Sequence, residues 1–325
     1  MKVCVYGAGA IGGWLAHGLA SAGANVSLVA RGETLAALQL HGLRLTHSGT
    51  TTAQAVACSA APADLGVQDL VIISVKAPSL VEVAKSISPL IGPHTIVLTA
   101  MNGVPWWFLQ DFGGAFAGHP IQSIDPLGTV AKAVAPRHII GCVVHASCSV
   151  DAPGVVRHHF GNKLIIGEPT GVATARIAQL SALFTEAGFE VHVSTQIQKD
   201  IWFKLWGNMT VNPISALTGA TTDLILQDEL VRGFISSVML EAKEIGHRLG
   251  IEIDQQPEDR HAVTLKLGAF KTSMLQDVEA GKAVELDALV SAVKELGLLT
   301  HVATPYTDAL LGLSRLQARV RGLYV

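Results

Sequence analysis

Charge is scarce in this chain of 325 residues: Asp, Glu, Lys and Arg make up only 15%, and the net charge is −3. No basic block interrupts the sequence, so there is no footprint for nucleic acid or for an anionic membrane surface. Cysteine is scarce too. Cys4, Cys58, Cys142 and Cys148 stand apart, without CxxC or Cys/His ligand spacing. That argues against a metal site and reads as reduced thiols in a cytoplasmic protein. A membrane-length apolar run is also missing. The longest uncharged stretch, residues 86–110, is broken by Pro89, Gly92, Pro93, His94, Asn102 and Pro105. Such punctuation suits a strand between loops rather than a spanning helix.

Apolar residues, in contrast, make up 49% of the chain, and its length suits two ordinary domains with a sizeable core. The first half alternates in type. KVCVYG (2–7), NVSLVA (25–30), DLVIISV (69–75) and HTIVLTA (94–100) read as apolar strands, while 11–24 and 81–87 read as helices. Fully apolar strands alternating with helices predict an α/β Rossmann-type doubly wound parallel sheet. From about residue 196 the texture becomes helical, near 198–218, 228–250, 258–280 and 284–297, with a last helix within 299–320. The expected division is a dinucleotide-binding domain over 1–194 and an all-α C-terminal domain over 195–325.

Gly7-Ala8-Gly9-Ala10-Ile11-Gly12 follows the first predicted strand and opens the first predicted helix. A secretion signal would need only an apolar helix here, whereas this pattern sets three glycines at fixed offsets. In that context Gly7 permits the tight turn, Gly9 admits a pyrophosphate, and Gly12 lets helix and strand pack closely. The helix N-terminus offers N–H groups and a positive dipole end to the phosphates. An NAD site would end the second strand in a carboxylate for the ribose hydroxyls. The sequence instead reads Val29-Ala30-Arg31-Gly32, with Glu33 close behind. Arg31 is suited to grip a 2′-phosphate, which favours NADP(H). Lys76 and Asn102 each follow an apolar strand, where ligands of such sheets collect, and are candidates for the nicotinamide ribose or the substrate.

KLWGNMTVNP (204–213) sets Lys204, Asn208 and Asn212 at i, i+4 and i+8, one polar stripe on a helix among apolar neighbours. Pro213 is expected to interrupt that helix and free a backbone carbonyl. Trp202 and Trp206 read as packing residues.

GAGAIGG, then VKA, MNGV, KLWGNMTVNPISALTG and TSMLQDVEAGKAVELD, in that order over essentially the whole chain, resemble the ketopantoate reductase (2-dehydropantoate 2-reductase) family. The resemblance implies a Rossmann domain and a helical domain with the active site in a cleft between them. It also implies NADPH-dependent reduction of a 2-oxo acid, by default 2-dehydropantoate to (R)-pantoate in pantothenate biosynthesis. The family's proton-donating lysine falls on Lys204, its substrate-binding amides on Asn208 and Asn212, its substrate serine on Ser273 and its late glutamate on Glu285. Lys76 and Asn102 match its cofactor-side lysine and asparagine. The implied partner is a small-molecule 2-oxo acid, and a homodimer is compatible with the sequence without being dictated by it.

Three departures bear on the substrate. Phe270 stands where pantoate-forming members carry an asparagine, and GATTDL (219–224) lacks a further substrate asparagine. The loop after Asn102-Gly103 continues Val-Pro-Trp-Trp-Phe, so that Trp106 and Trp107 are candidates to narrow a pocket mouth. A paralogue acting on another 2-oxo or 2-hydroxy acid therefore stays open. A non-catalytic NADP-binding sensor is a third reading, against which Lys204 argues, since a sensor needs no proton donor.

Overall fold

The computed structural model describes residues 1–266 and 268–324. Contacts divide the chain into two units, one of residues 1–101 and 128–200, the other of residues 102–127 and 201–325. The division differs from the sequence expectation in two ways. The change falls at 200/201 rather than 194/195, and residues 102–127 group with the helical unit.

The first unit is built on one sheet. Its strands are β1 (Lys2–Tyr6), β2 (Asn25–Val29), β3 (Leu43–His47), β4 (Thr50–Gln54), β5 (Ala57–Ser59), β6 (Gln68–Ile73), β7 (Ile91–Thr99), β8 (Ile139–Ala152), β9 (Val155–Gly167) and β10 (Glu190–Val193). They lie in the order β4-β3-β9-β8-β7-β6-β1-β2-β5, with β10 on β9. From β5 through β2, β1, β6 and β7 to β8 every pairing is parallel. In chain order that is the 3-2-1-4-5-6 arrangement of a dinucleotide-binding fold, whose switch point lies between β1 and β6. Beyond β8 the sheet becomes mixed, because β8 and β9 form a long antiparallel hairpin and β3 pairs antiparallel with β4.

That hairpin was not foreseen. Its outer half carries Ser147, Cys148, Arg157, His158 and Phe160, which break the apolar runs that marked the inner strands. The inner strands are apolar because both faces are covered: Val3, Val5, Leu28, Leu70, Ile72 and Leu98 are buried in the core. Helices α1 (Ala10–Ser21), α2 (Gly32–His41), α3 (Leu80–Ser86), α4 (Thr129–Ala133) and α5 (Ala175–Glu186) complete this unit.

Helix α6 (Ile197–Thr218) begins in the first unit and supplies the stripe residues of the second. Contrary to expectation, Pro213 does not end it. Val211, Pro213, Ile214 and Ser215 are all buried, so packing outweighs the roughly 3 kcal/mol penalty of an interior proline. The missing proline N–H still leaves the Met209 carbonyl without its i+4 donor. The other helices are α7 (Thr222–Gln227), α8 (Glu229–Arg248), α9 (Pro257–Leu265), α10 (Ser273–Glu279), α11 (Ala292–Thr300) and α12 (Pro305–Val320), with a π-turn over Asp287–Ser291. The single helix expected over 258–280 is therefore two. Gly268, with φ +64°, lies in the break, and Thr272 caps α10 by accepting from Leu275 N. No helix among the described residues is long and apolar enough to cross a membrane.

Residues 102–127 join the helical unit through specific contacts. The Glu295 carboxylate accepts the backbone N–H groups of Gln122 and Ser123, both at 2.7 Å, and the Ser123 hydroxyl. Phe108 packs 5.8 Å from Trp202, ring centroid to centroid. Trp202 and Trp206 donate their indole N–H groups to the carbonyls of Ala242 and Met239, fastening α6 to α8. They are packing residues, as expected.

Candidate active site

In the first unit the three glycines of the turn after β1 do three different things. Gly7 has φ +109°, donates its N–H to Val29 O at 3.2 Å, and accepts the Ser74 hydroxyl at 2.9 Å. Gly12 lies where a Cβ would meet Gly7 O at 2.0 Å and Ser74 Oγ at 2.2 Å, so only hydrogen lets α1 approach β1 and β6 this closely. Gly9, the N-cap of α1, has nothing within 4 Å of a built Cβ. A glycine that packing does not require, beside one that packing requires absolutely, marks a surface kept clear. The first turn of α1 also carries no acidic side chain, so the early N–H groups near Ala10, Ile11 and Gly12 face no competing carboxylate. The arrangement fits a pyrophosphate.

Lys76 sits two residues beyond Ser74, half-buried, at the start of a short turn in which its carbonyl accepts Ser79 N–H. Ser74 N–H also bonds Tyr6 O. The end of β6 is thus tied to the glycine turn, and Lys76 belongs to that neighbourhood. Arg31 is exposed, at the N-cap of α2. Its positive charge is felt by Glu82 at the start of α3. That carboxyl is held below its ordinary range chiefly by the Lys85 hydrogen bond, with Arg31 a smaller contributor.

In the second unit Lys204, Asn208 and Asn212 share α6. Lys204 Nζ donates to Asn102 Oδ1 at 2.7 Å, across 102 positions of sequence. Asn208 is half-buried and Asn212 is 8% exposed, yet neither amide has a hydrogen-bond partner among the described residues. Neither belongs to the buried side-chain atoms left without a partner, so the polar atoms of both amides stay within reach of solvent beside the lysine, a candidate surface for a polar ligand.

The Asn102 loop is itself held in place. Gly103 has φ +83°, and a Cβ there would fall 2.4 Å from Ala288 O, the carbonyl that accepts Val104 N–H at 2.8 Å. Ala288 belongs to the π-turn that follows Glu285, whose own carbonyl accepts Leu289 N–H. Glu285 is half-buried and is linked in this way to the loop bearing Asn102. Such turns recur at functional sites. The Ala288 contact escaped the sequence reading; the glycine after Asn102 was its only local signal.

Ser273 is the exposed first residue of α10, and no hydrogen bond among the described residues joins it to the stripe. Trp106 and Trp107 require a correction. They are 5% and 1% exposed, buried side chains rather than an open rim. The Pro105-Trp106-Trp107-Phe108 run is all buried, which large aromatic surfaces favour. Phe270 is half-buried, and its backbone bonds Thr222 N–H and Gly268 O.

Known proteins carry the same two-part arrangement. Residues 3–171 match the family described as ketopantoate reductase PanE/ApbA, and residues 196–318 match its C-terminal counterpart. The chain belongs to the ketopantoate reductase family. It is 44% identical, over the full length of both chains, to a 2-dehydropantoate 2-reductase of Mesorhizobium japonicum. A crystal structure from Ralstonia solanacearum MolK2, provisionally assigned as a ketopantoate reductase, is 54% identical, with TM-score 0.96 over 99% of each chain. A D-mandelate dehydrogenase solved with NADH and anilino(oxo)acetate gives TM-score 0.86 over 99% of this chain and 100% of that one. At 21% identity that likeness concerns the fold alone. This family member is an oxidoreductase of an NAD(P)-dependent family, which sets aside the sensor reading.

Proposed function

We propose that this enzyme reduces a 2-oxo acid to a 2-hydroxy acid with NADPH, with 2-dehydropantoate as substrate and (R)-pantoate as product. The observation that carries the reading is Lys204, hydrogen-bonded to Asn102 and followed on one helix face by two amides without partners among the described residues. The glycine turn would hold the pyrophosphate, Arg31 the 2′-phosphate, and Lys76 the ribose. When bound, the reduced nicotinamide supplies the hydride that becomes the new C–H bond.

The chain's own residues do the rest. Charge develops on the carbonyl oxygen as its carbon is reduced, and the Lys204 ammonium both stabilises that charge and delivers the proton that completes the hydroxyl. Asn102 accepts from Nζ and so fixes the direction of the ammonium. Asn208 and Asn212 orient the substrate through neutral hydrogen bonds that add no net charge. Ser273 and Glu285 complete the substrate and cofactor contacts by the family resemblance. The product would serve pantothenate synthesis in the cytoplasm.

The test is NADPH oxidation by the purified protein with 2-dehydropantoate beside a panel of other 2-oxo acids, repeated for Arg31→Ala. Turnover of 2-dehydropantoate above the rest is expected. Arg31→Ala should weaken NADPH by about 10-fold or more while barely changing NADH, the scale of one charge-assisted contact. Turnover of a different acid alone would overturn the substrate, and equal losses for both nucleotides would overturn the 2′-phosphate role.

A further inference from the structure

Arg260, on α9, stands against the same helix that carries Lys204. Its Cζ lies 5.2 Å from the centroid of the Phe203 ring. A Cβ built on Gly207 would fall 2.7 Å from its Nε and 3.0 Å from Nη2. The guanidinium thus lies over a bare patch of backbone, and any side chain at 207 would displace it. Its Nε is buried with no hydrogen-bond partner, and no ion pair involves Arg260 among the described residues. The neighbouring acids are engaged elsewhere. Asp259 accepts Gln256 N–H in the cap of α9, and the charge of Glu258 acts on His261. Burial lowers the Arg260 pKa from its ordinary value, the mark of a cation that has lost water without gaining an anion.

An arginine desolvated on one edge and lacking a carboxylate is costly unless a ligand supplies one. Gly207 lies between Lys204 and Asn208 on α6, about 4.5 Å along the helix axis from Lys204 at 1.5 Å per residue. In a 2-oxo acid the carboxylate carbon is bonded directly to the ketone carbon. A group that receives the carboxylate must therefore sit within one helical turn of the group that protonates the ketone oxygen. The asparagines of the stripe are neutral, so they leave the charge of that carboxylate uncompensated.

We propose that Arg260 is the substrate's carboxylate receptor, a specificity-determining residue that pairs with the acid group while Lys204 serves the ketone. The role rests on the 2-oxo acid reading above. It explains why position 207 is glycine, and why the guanidinium lies over Phe203 with its Nε unpaired among the described residues. A planar fork also accepts a carboxylate through two parallel hydrogen bonds, which a lysine cannot reproduce.

The experiment compares native enzyme with Arg260→Met, Arg260→Lys and Gly207→Ala, using 2-dehydropantoate and its neutral 2-oxo amide at saturating NADPH. Arg260→Met is expected to raise KM for the acid by about 30-fold or more, as for a truncated buried charge pair. KM for the amide and Kd for NADPH should stay unchanged, so the preference for acid over amide collapses. Arg260→Lys should recover only part of that preference, and Gly207→Ala should lose part of it with Arg260 still present. If Arg260→Met fails to fold, the last two variants decide. An acid-to-amide preference that survives in all variants would overturn the proposal and leave Arg260 a structural cation over Phe203. A native enzyme that turns over no 2-oxo acid would overturn the underlying reaction before any variant is compared.

Discussion

Gly9→Ala and Gly12→Ala test whether the turn after β1 is a binding surface or a packing device. The two substitutions add the same methyl group three residues apart, yet the structure gives them opposite consequences. At Gly12 the new Cβ would sit 2.0 Å from Gly7 O and 2.2 Å from Ser74 Oγ. The hydroxyl could rotate away, but the carbonyl cannot, because Gly7 is tied to Val29 and Ser74 is tied to Tyr6. Backbone must move by about 1 Å. Overpacking of that kind costs about 1–3 kcal/mol or more, which lowers Tm by about 2–5 °C in a chain of this size.

At Gly9 the methyl meets nothing within 4 Å, and the backbone, at φ −82° and ψ −165°, suits alanine. The stability change should stay within about 1 kcal/mol, the scale of an N-cap replacement. The methyl would, however, occupy the space that a pyrophosphate needs. Losing one hydrogen bond to a charged group costs about 1.5–3 kcal/mol, a rise of about 10- to 100-fold in Kd for NADPH. Thermal melts without nucleotide, beside a fluorescence titration with NADPH, separate the two effects. Native affinity in Gly9→Ala would refute the phosphate-binding role of the turn, and an unchanged Tm in Gly12→Ala would refute the packing geometry.

Lys204→Ala should lower kcat by about 100- to 10,000-fold, the range for a lost general acid, with NADPH affinity unchanged; steady-state turnover near the native rate would remove Lys204 as proton donor. Stability should also fall on the acid side of neutrality. His17 and His261 are both held below the ordinary histidine pKa of 6.5, mainly by burial. Their neutral forms are thus favoured in the folded state, and their contribution is complete above about pH 6.5 and lost as pH falls through that value toward the folded pKa. Melting curves from pH 8 to pH 5.5 should show a steeper acid decline for the native protein than for a His17→Gln, His261→Gln double variant, and parallel declines would contradict the linkage.

The local chemistry was legible in the sequence. Three glycines at fixed offsets after an apolar strand require a tight turn wherever they fold, and apolar strands separated by helices require a sheet covered on both faces. Lys204, Asn208 and Asn212 had to share a face as soon as their segment became helical, because the helical period alone decides that. What the sequence could not decide was which distant groups meet. Asn102 reaches Lys204 only because residues 102–127 are drawn into the helical unit by Glu295 and by the Phe108–Trp202 contact. No local pattern encodes such long-range pairings. Tertiary packing likewise carried α6 through Pro213, buried Trp106 and Trp107, and left Arg260 Nε without a partner among the described residues. Propensity and period act over a few residues, whereas burial and charge compensation depend on what the rest of the chain brings alongside.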